Sequence, residues 1–381
     1  MDQQKVYEWE ETYYSSYTPW EEWWVQYQPL LYAKGYQLRR RFRAGWIPSW
    51  SLPGSGFDSE DSSYSRAKFE DSVVHMRKNV LDAVRISDGE KVVLRRVVTA
   101  TQELGLLRHL ETLCDPRNRT VPLLDVIALP DDEFMLVVIP FLRKFNDPVF
   151  RHLREAVDCM RQYFLGLEFL HFHNIAHRDA CGGNMMMDAT HVVPSGFHFS
   201  APHTTDGDHD NRVLWRDRCS VSPVNYFFID FGLSSYHEEG CELARDVGAF
   251  SQDETVPELS KTIPYNPFKV DIYQLGRVFL RESQKHPPID VYFGSLLDAM
   301  TEFDPAERPS AAQVVLMFEN LASNIPEDKL DERMEILPQT PCYSGESDAE
   351  YELDPAPGPA LDSEQEFEDR VQSLRVDGKS G

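Results

Sequence analysis

The chain has 381 residues, 41% of them hydrophobic, and a formal net charge of −25. That length supports a domain-sized core with residues left over for extensions. The acidity excludes the broad basic surface that a nucleic-acid partner requires. Sixteen acidic and five basic residues lie from Pro326 onward, which leaves −14 of the charge on the rest of the chain. Six cysteines (Cys114, Cys159, Cys181, Cys219, Cys241 and Cys342) include no C-x-x-C pair. They fit a reducing compartment and suggest neither a zinc nor a disulfide framework. No apolar run approaches about 18 residues, so no membrane span is expected, and the acidic, aromatic start is unlike a signal peptide. The expected location is intracellular, cytoplasmic or nuclear.

Residues 1–65 hold six of the seven tryptophans: Trp9, Trp20, Trp23, Trp24, Trp46 and Trp50. Trp20, Trp23, Trp24 and Tyr27 recur at helical spacing, which predicts a short amphipathic helix in an N-terminal extension that caps the following domain or docks a partner. Arg39-Arg40-Arg41-Phe42-Arg43 reads as a solvated basic face, and Gly54 to Ser65 as a connector. Strands are expected over Ser72–Met76 and Val80–Ile86, flanking Arg77-Lys78-Asn79. Asp88-Gly89 then turns the chain into a third strand, Lys91–Val98. Thr101–Leu113 is a helix candidate. Val121–Ala128 and Glu133–Pro140 form a strand pair.

Glu155–His173 carries apolar residues at i, i+3 and i+4 and reads as a long helix stopped by Asn174. Met185–Met187 is a short strand. Asp188–Val224 contains His191, His198, His203 and His209 at spacings poor for a metal site, so a solvated loop is expected. Val270–Glu282 is apolar nearly all round, hence a buried helix. Tyr292–Leu321 supplies the remaining helices. From Ile325, Pro, Gly, Ser and acidic residues predict disorder, with Thr340 and Ser344 as candidate phosphorylation sites.

The chemistry gathers in two stretches. His177-Arg178-Asp179-Ala180-Cys181-Gly182-Gly183-Asn184 places an Asp five residues before an Asn on a loop. Phe227-Phe228-Ile229-Asp230-Phe231-Gly232 follows a buried apolar run with Asp-Phe-Gly. Asp179 can serve a hydroxyl, and Asn184 and Asp230 are hard oxygen donors of the kind Mg2+ takes from protein one or two at a time. Together they point to phosphoryl transfer from a nucleotide.

With H-R-D-x-x-x-x-N and D-F-G intact, the chain resembles the eukaryotic protein kinase family. Phrases such as Tyr265-Asn266-Pro267-Phe268-Lys269-Val270-Asp271 are similar to kinase-like proteins of basidiomycete fungi. The resemblance implies an α+β, bilobal fold over 66–322: a small antiparallel-sheet lobe (66–140), a larger mainly helical lobe (141–322) and a disordered acidic tail (323–381). It implies ATP and Mg2+ as cofactors and a protein hydroxyl as acceptor, with no nucleic-acid or membrane partner. Asp179 would orient the hydroxyl, Arg178 would engage an activation-loop phosphate, and Asn184 and Asp230 would hold the metal. Arg95 would meet the phosphates while paired with Glu103, and Ile139 and Leu142 would border the adenine. Leu107, Phe231 and His177 would stack. Glu258, in Val256-Pro257-Glu258, would pair with Arg308, and Asp271 would tie down the catalytic loop.

Three departures stand against the family pattern. The loop expected between the first two strands has no glycine to close over an anion, leaving Arg77 or Lys78 as substitute donors. Arg95 replaces a lysine, which changes a point charge into a planar fork. Cys181 stands where a lysine neutralises the transferred phosphoryl, a loss on the order of 2–4 kcal/mol. A pseudokinase, binding nucleotide or serving as scaffold, is therefore an alternative, as is a small-molecule phosphotransferase of related fold.

Overall fold

The computed structural model describes residues 12–58, 62–130 and 133–335. It is an α+β structure: a five-stranded antiparallel sheet followed by a mainly helical region. Helix α1, Pro19–Ala33, starts on a capping box, with the Glu21 amide donating to Thr18 Oγ1 and the Thr18 amide to Glu21 Oε2. Its inward residues Glu21, Trp24, Tyr27 and Leu31 follow the helical repeat. Gly35, at φ 91°, turns the chain into β1, Tyr36–Leu38.

β1 pairs antiparallel with β2, Val80–Arg85, placing Tyr36 opposite Arg85. The sheet continues through β3, Lys91–Val98, to β5, Phe134–Pro140, and ends on β4, Asp125–Ala128, in the order β1-β2-β3-β5-β4. Trp24, Leu31, Leu38 and Phe42 share one core with Leu81, Leu94, Leu136 and Val138. Residues between Trp24 and Phe42 are thus part of the sheet's own core.

Ser72–Met76 is not a strand, and the edge it was expected to supply is β1. This segment and the preceding Asp71 are tied instead to groups of the N-terminal region. Asp71 accepts from the Trp46 indole and the Ser49 amide, both at 2.9 Å, and the His75 amide donates to Glu21 Oε1 at 3.0 Å. The basic run is a solvated face only in part: Arg40 and Arg43 are exposed, but Arg39 and Arg41 turn inward. Arg41 is fully buried against Glu21 at 2.7 Å, and Arg39 reaches Asp82 at 2.9 Å and Glu70 at 3.1 Å. Buried guanidinium groups need such partners, and here the partners lie too far along the chain for the local pattern to reveal.

The helical region comprises α2 (Glu103–Thr112), α3 (Leu153–Phe172), α4 (Pro267–Lys285), α5 (Pro287–Met300) and α6 (Ala311–Ala322). Tyr163, Phe164, Leu167, Phe279, Phe293 and Phe318 build its core, with the Phe164 and Phe318 rings 5.1 Å apart edge to face. The segment expected to be a solvated loop, 188–224, packs instead. Val192, Val193, Phe197, Thr204 and Val213 are buried, and Phe197 stacks on Phe141 at 4.6 Å. Its few apolar anchors outweigh its polar composition.

The chain also remains packed past 322. Ile325 and Met334 are buried, and the Met334 amide donates to Arg151 O at 2.7 Å. From 336 on, including Thr340 and Ser344, the expected tail lies outside the described residues, as does Trp9. No described helix is long and apolar enough to cross a membrane.

Candidate functional site

The loop after α3 is held from below by one carboxylate. Asp271, on α4 and fully buried, accepts from the Arg178 amide at 2.6 Å, the His177 amide at 2.8 Å and the His171 ring at 2.9 Å. One turn along α4, Gln274 Oε1 accepts from the Ala180 amide at 2.9 Å. These contacts support Arg178 in the left-handed region, at φ 65°. The loop leads into β6, Met185–Met187, which pairs with β7, Tyr226–Phe228. Met185 lies opposite Phe228, and the Ile229 amide donates to Asn184 O at 3.0 Å. That pairing sets Asn184 against Ile229, the residue before Asp230, although 46 positions separate Asn184 from Asp230.

Asp179 is the centre of the cluster. Asn184 Nδ2 donates to its Oδ2 at 2.7 Å and to its backbone oxygen at 3.0 Å. Residues of a later segment close the other side. The Gln252 amide donates to Oδ1 at 2.9 Å, Gln252 Nε2 to Oδ2 at 3.0 Å, and Ser251 Oγ to Oδ1 at 3.3 Å. Gln274 Nε2 in turn donates to Ser251 Oγ at 2.7 Å.

Arg95 on β3 joins the sheet to this cluster. It forms a short contact with Glu103 of α2 and meets Asp230 Oδ1 at 2.5 Å. Burial works against its charge, but Asp230 and Glu103 outweigh burial and hold its pKa above the ordinary arginine value. Asp230 sits at φ 60°, with its Oδ1 also accepting from the Gly232 amide at 3.3 Å. The His177 and Phe231 rings lie 4.8 Å apart, and Leu107 belongs to the same core. Ile139 is buried opposite Val93, and Leu142 packs half-buried against that core where the sheet passes into the helical region. Cys181 is buried near Ser251, and burial followed by the neighbouring Asp179 pushes its thiol pKa far up. Position 181 therefore supplies no charge of either sign.

Arg178 is paired within the chain: Nη1 contacts Asp246 Oδ2 and Nη2 donates to Val247 O, both at 2.9 Å. Glu258 and Arg308 form a two-pronged ion pair at 2.6 and 2.9 Å. The expected Arg77–Lys78 hairpin tip does not exist, because no strand precedes it. Arg77 lies over Phe199 at 5.5 Å and Lys78 over Trp20 at 4.6 Å.

Among the described residues, one cluster has metal-ligand character: His152, Glu155 and Cys219. It caps the N-terminus of α3 beside the buried Arg218, where helix dipole and guanidinium both oppose a cation. A cavity of about 350 Å³ lined by Leu113, Cys114, Thr120 and Phe227 holds none of the clustered side chains. No family model matches the chain, and no curated protein matches it.

Gln252, Asp246 and Gln274 were not singled out in the sequence, and Ser251 only as one of the hydroxyls, with Ser234, Ser235 and Thr255, between Asp230 and Glu258. Gln274 was readable, as a polar residue three positions after Asp271 on an otherwise apolar helix. The others carry no motif. Their contacts depend on the path of the chain between 230 and 258.

Proposed function

We propose that this chain is a protein kinase, moving the γ-phosphoryl group of ATP to a protein hydroxyl in the cleft of a bilobal, kinase-like fold. The observation that carries the reading is the polar cluster gathered between sheet and loop. Arg95 joins Glu103 to Asp230, and Asn184, whose carbonyl accepts from the amide of Ile229 next to Asp230, donates to Asp179. Four of these groups come from separate stretches of sequence, and a structural role alone needs no such convergence.

The donor set suits Mg2+. Asn184 commits Nδ2 to Asp179, which turns its Oδ1 away from that carboxylate, and Asp230 adds a second hard oxygen. Bound there, Mg2+ would neutralise phosphate charge. The remaining work falls to the chain's own residues. Asp179 orients the acceptor hydroxyl and takes its proton. Arg95 has five N–H groups, enough to keep both carboxylates and still face a phosphate. Ile139 and Leu142 border the adenine, and Glu258 with Arg308 fixes the segment on which the substrate rests. Transfer needs little more than positioning and charge neutralisation.

One observation favours a second reading. Arg95 lies 2.5 Å from Asp230 Oδ1 and so competes with a metal for that oxygen. A pseudokinase that binds nucleotide without transfer would keep this pair closed. The test is transfer of radiolabel from ATP to generic protein substrates, compared with Asp179→Asn, alongside a thermal shift with ATP and Mg2+. Transfer lost in Asp179→Asn supports the kinase. A thermal shift without transfer supports the pseudokinase, and neither signal overturns both.

A further inference from the structure

We infer that Gln252 is a positioning residue of the transfer site, supplying from the segment before Glu258 the N–H donor that position 181 lacks. This rests on the kinase reading above. Cys181 is a buried thiol beside Asp179, and it brings no N–H donor or positive charge to a phosphoryl oxygen. Gln252 instead grips Asp179 twice, amide to Oδ1 at 2.9 Å and Nε2 to Oδ2 at 3.0 Å. With Asn184 Nδ2 on Oδ2 at 2.7 Å, both carboxylate oxygens have fixed donors.

The loop makes room for this side chain. A Cβ on Gly183 would collide with Gln252 Oε1, so glycine at that position lets the carboxamide lie across the loop. Gln252 is itself exposed. A carboxamide nitrogen carries two N–H groups. One is directed at Asp179, and the second is available to an oxygen arriving beside it. A neutral donor here costs no desolvation of charge, and it stabilises charge that grows on the phosphoryl oxygens during transfer.

The test uses the full chain with ATP, Mg2+ and the protein substrate that the wild type labels. Gln252→Ala is expected to lower kcat by about 10- to 100-fold, in line with loss of one donor, while KM for ATP and the thermal midpoint stay within about twofold and 2 °C. Gly183→Ala, which displaces the same carboxamide, is expected to lower kcat in the same way, and Gln252→Lys to restore it. Unchanged kcat in Gln252→Ala overturns the inference while leaving the kinase reading intact. A rise in kcat also overturns it, because Gln252 would then be a plug on Asp179. If the wild type transfers nothing, the kinase reading fails and this inference with it.

Discussion

Arg178 and Asp246 form an ion pair at 2.9 Å, with side chains only 18% and 21% exposed. The arginine's second arm holds Val247 O, so a carboxylate and a carbonyl occupy the cation that an activation-loop phosphate was expected to engage. Gly248 adds to the fit, since a Cβ there would press on the same guanidinium. On the kinase reading, the segment is ordered without modification. Phosphatase treatment is therefore expected to leave transfer unchanged. Asp246→Asn is expected to lower kcat about tenfold, by analogy with charge pairs that order such segments. Radiolabel transfer before and after phosphatase checks both, and a phosphatase-sensitive wild type would count against the idea.

How much of this was readable depends on the distance over which each contact forms. The Asp179–Asn184 spacing and Asp-Phe-Gly were legible because loop and strand ends fix those residues locally. The buried helix over Val270–Glu282 was legible from its apolar repeat. The edge strand Tyr36–Leu38 was not: three residues give no alternation to count, and their partners stand more than forty positions away. Arg41 looked solvated because its partner Glu21 lies 20 positions away on a separate helix, beyond any local pattern. Gln252 had no legible signal, since its contact with Asp179 spans 73 positions and follows only from the path of the chain.

Acid stability should turn on His75. Burial, helped by the nearby Arg39, lowers its pKa from 6.5 to about 4. Val80 O can only accept, so Nε2 carries the proton and Nδ1 receives from Ser200 Oγ. Between pH 6.5 and about 4 the unfolded chain binds a proton there that the folded chain does not. Stability therefore rises with pH across that window, at up to about 1.4 kcal/mol per pH unit. Glu70, lowered to about 2 by His198 and Arg39 despite its burial, acts in a separate window below 4.5. Urea midpoints at pH 7, 5.5 and 4.5 are expected to fall in that order, and to fall much less in His75→Gln.

Arg308 should be worth more to stability than any surface pair. Its side chain is fully buried and holds Glu258 by two prongs, Glu302 O at 2.7 Å and Lys269 O at 2.9 Å. Arg308→Ala leaves Glu258 without its partner and three carbonyls, Phe303 O included, short of a donor, a loss of about 3–5 kcal/mol. Arg308→Lys keeps charge but loses the fork, so it recovers only part of that. Denaturant unfolding of the full chain measures both. For contrast, Arg85→Ala removes an exposed pair with Asp88 and is expected to leave the midpoint nearly unchanged.

Arg95 separates structural from ligand-binding roles within one side chain. It is mostly buried, and two carboxylates converge on it: Glu103, itself 5% exposed, and Asp230. Arg95→Ala removes the cation from between the two carboxylates and is expected to destabilise the fold by about 3–5 kcal/mol, so loss of nucleotide binding in that variant says little. Arg95→Lys is the informative change. A lysine keeps the charge and reaches Glu103 or Asp230 but does not fork between them. Asp230 is then less tightly held, which leaves its oxygens more open to a cation. On the kinase reading, the thermal shift with ATP and Mg2+ is expected to grow in Arg95→Lys although the unliganded midpoint falls. On the pseudokinase reading, where the closed pair is the resting state and metal is not required, the shift with ATP alone matches the shift with ATP and Mg2+ in both proteins. Measuring the two shifts on wild type and variant decides whether the Arg95–Asp230 contact is a latch that opens for a metal or a fixed part of the fold.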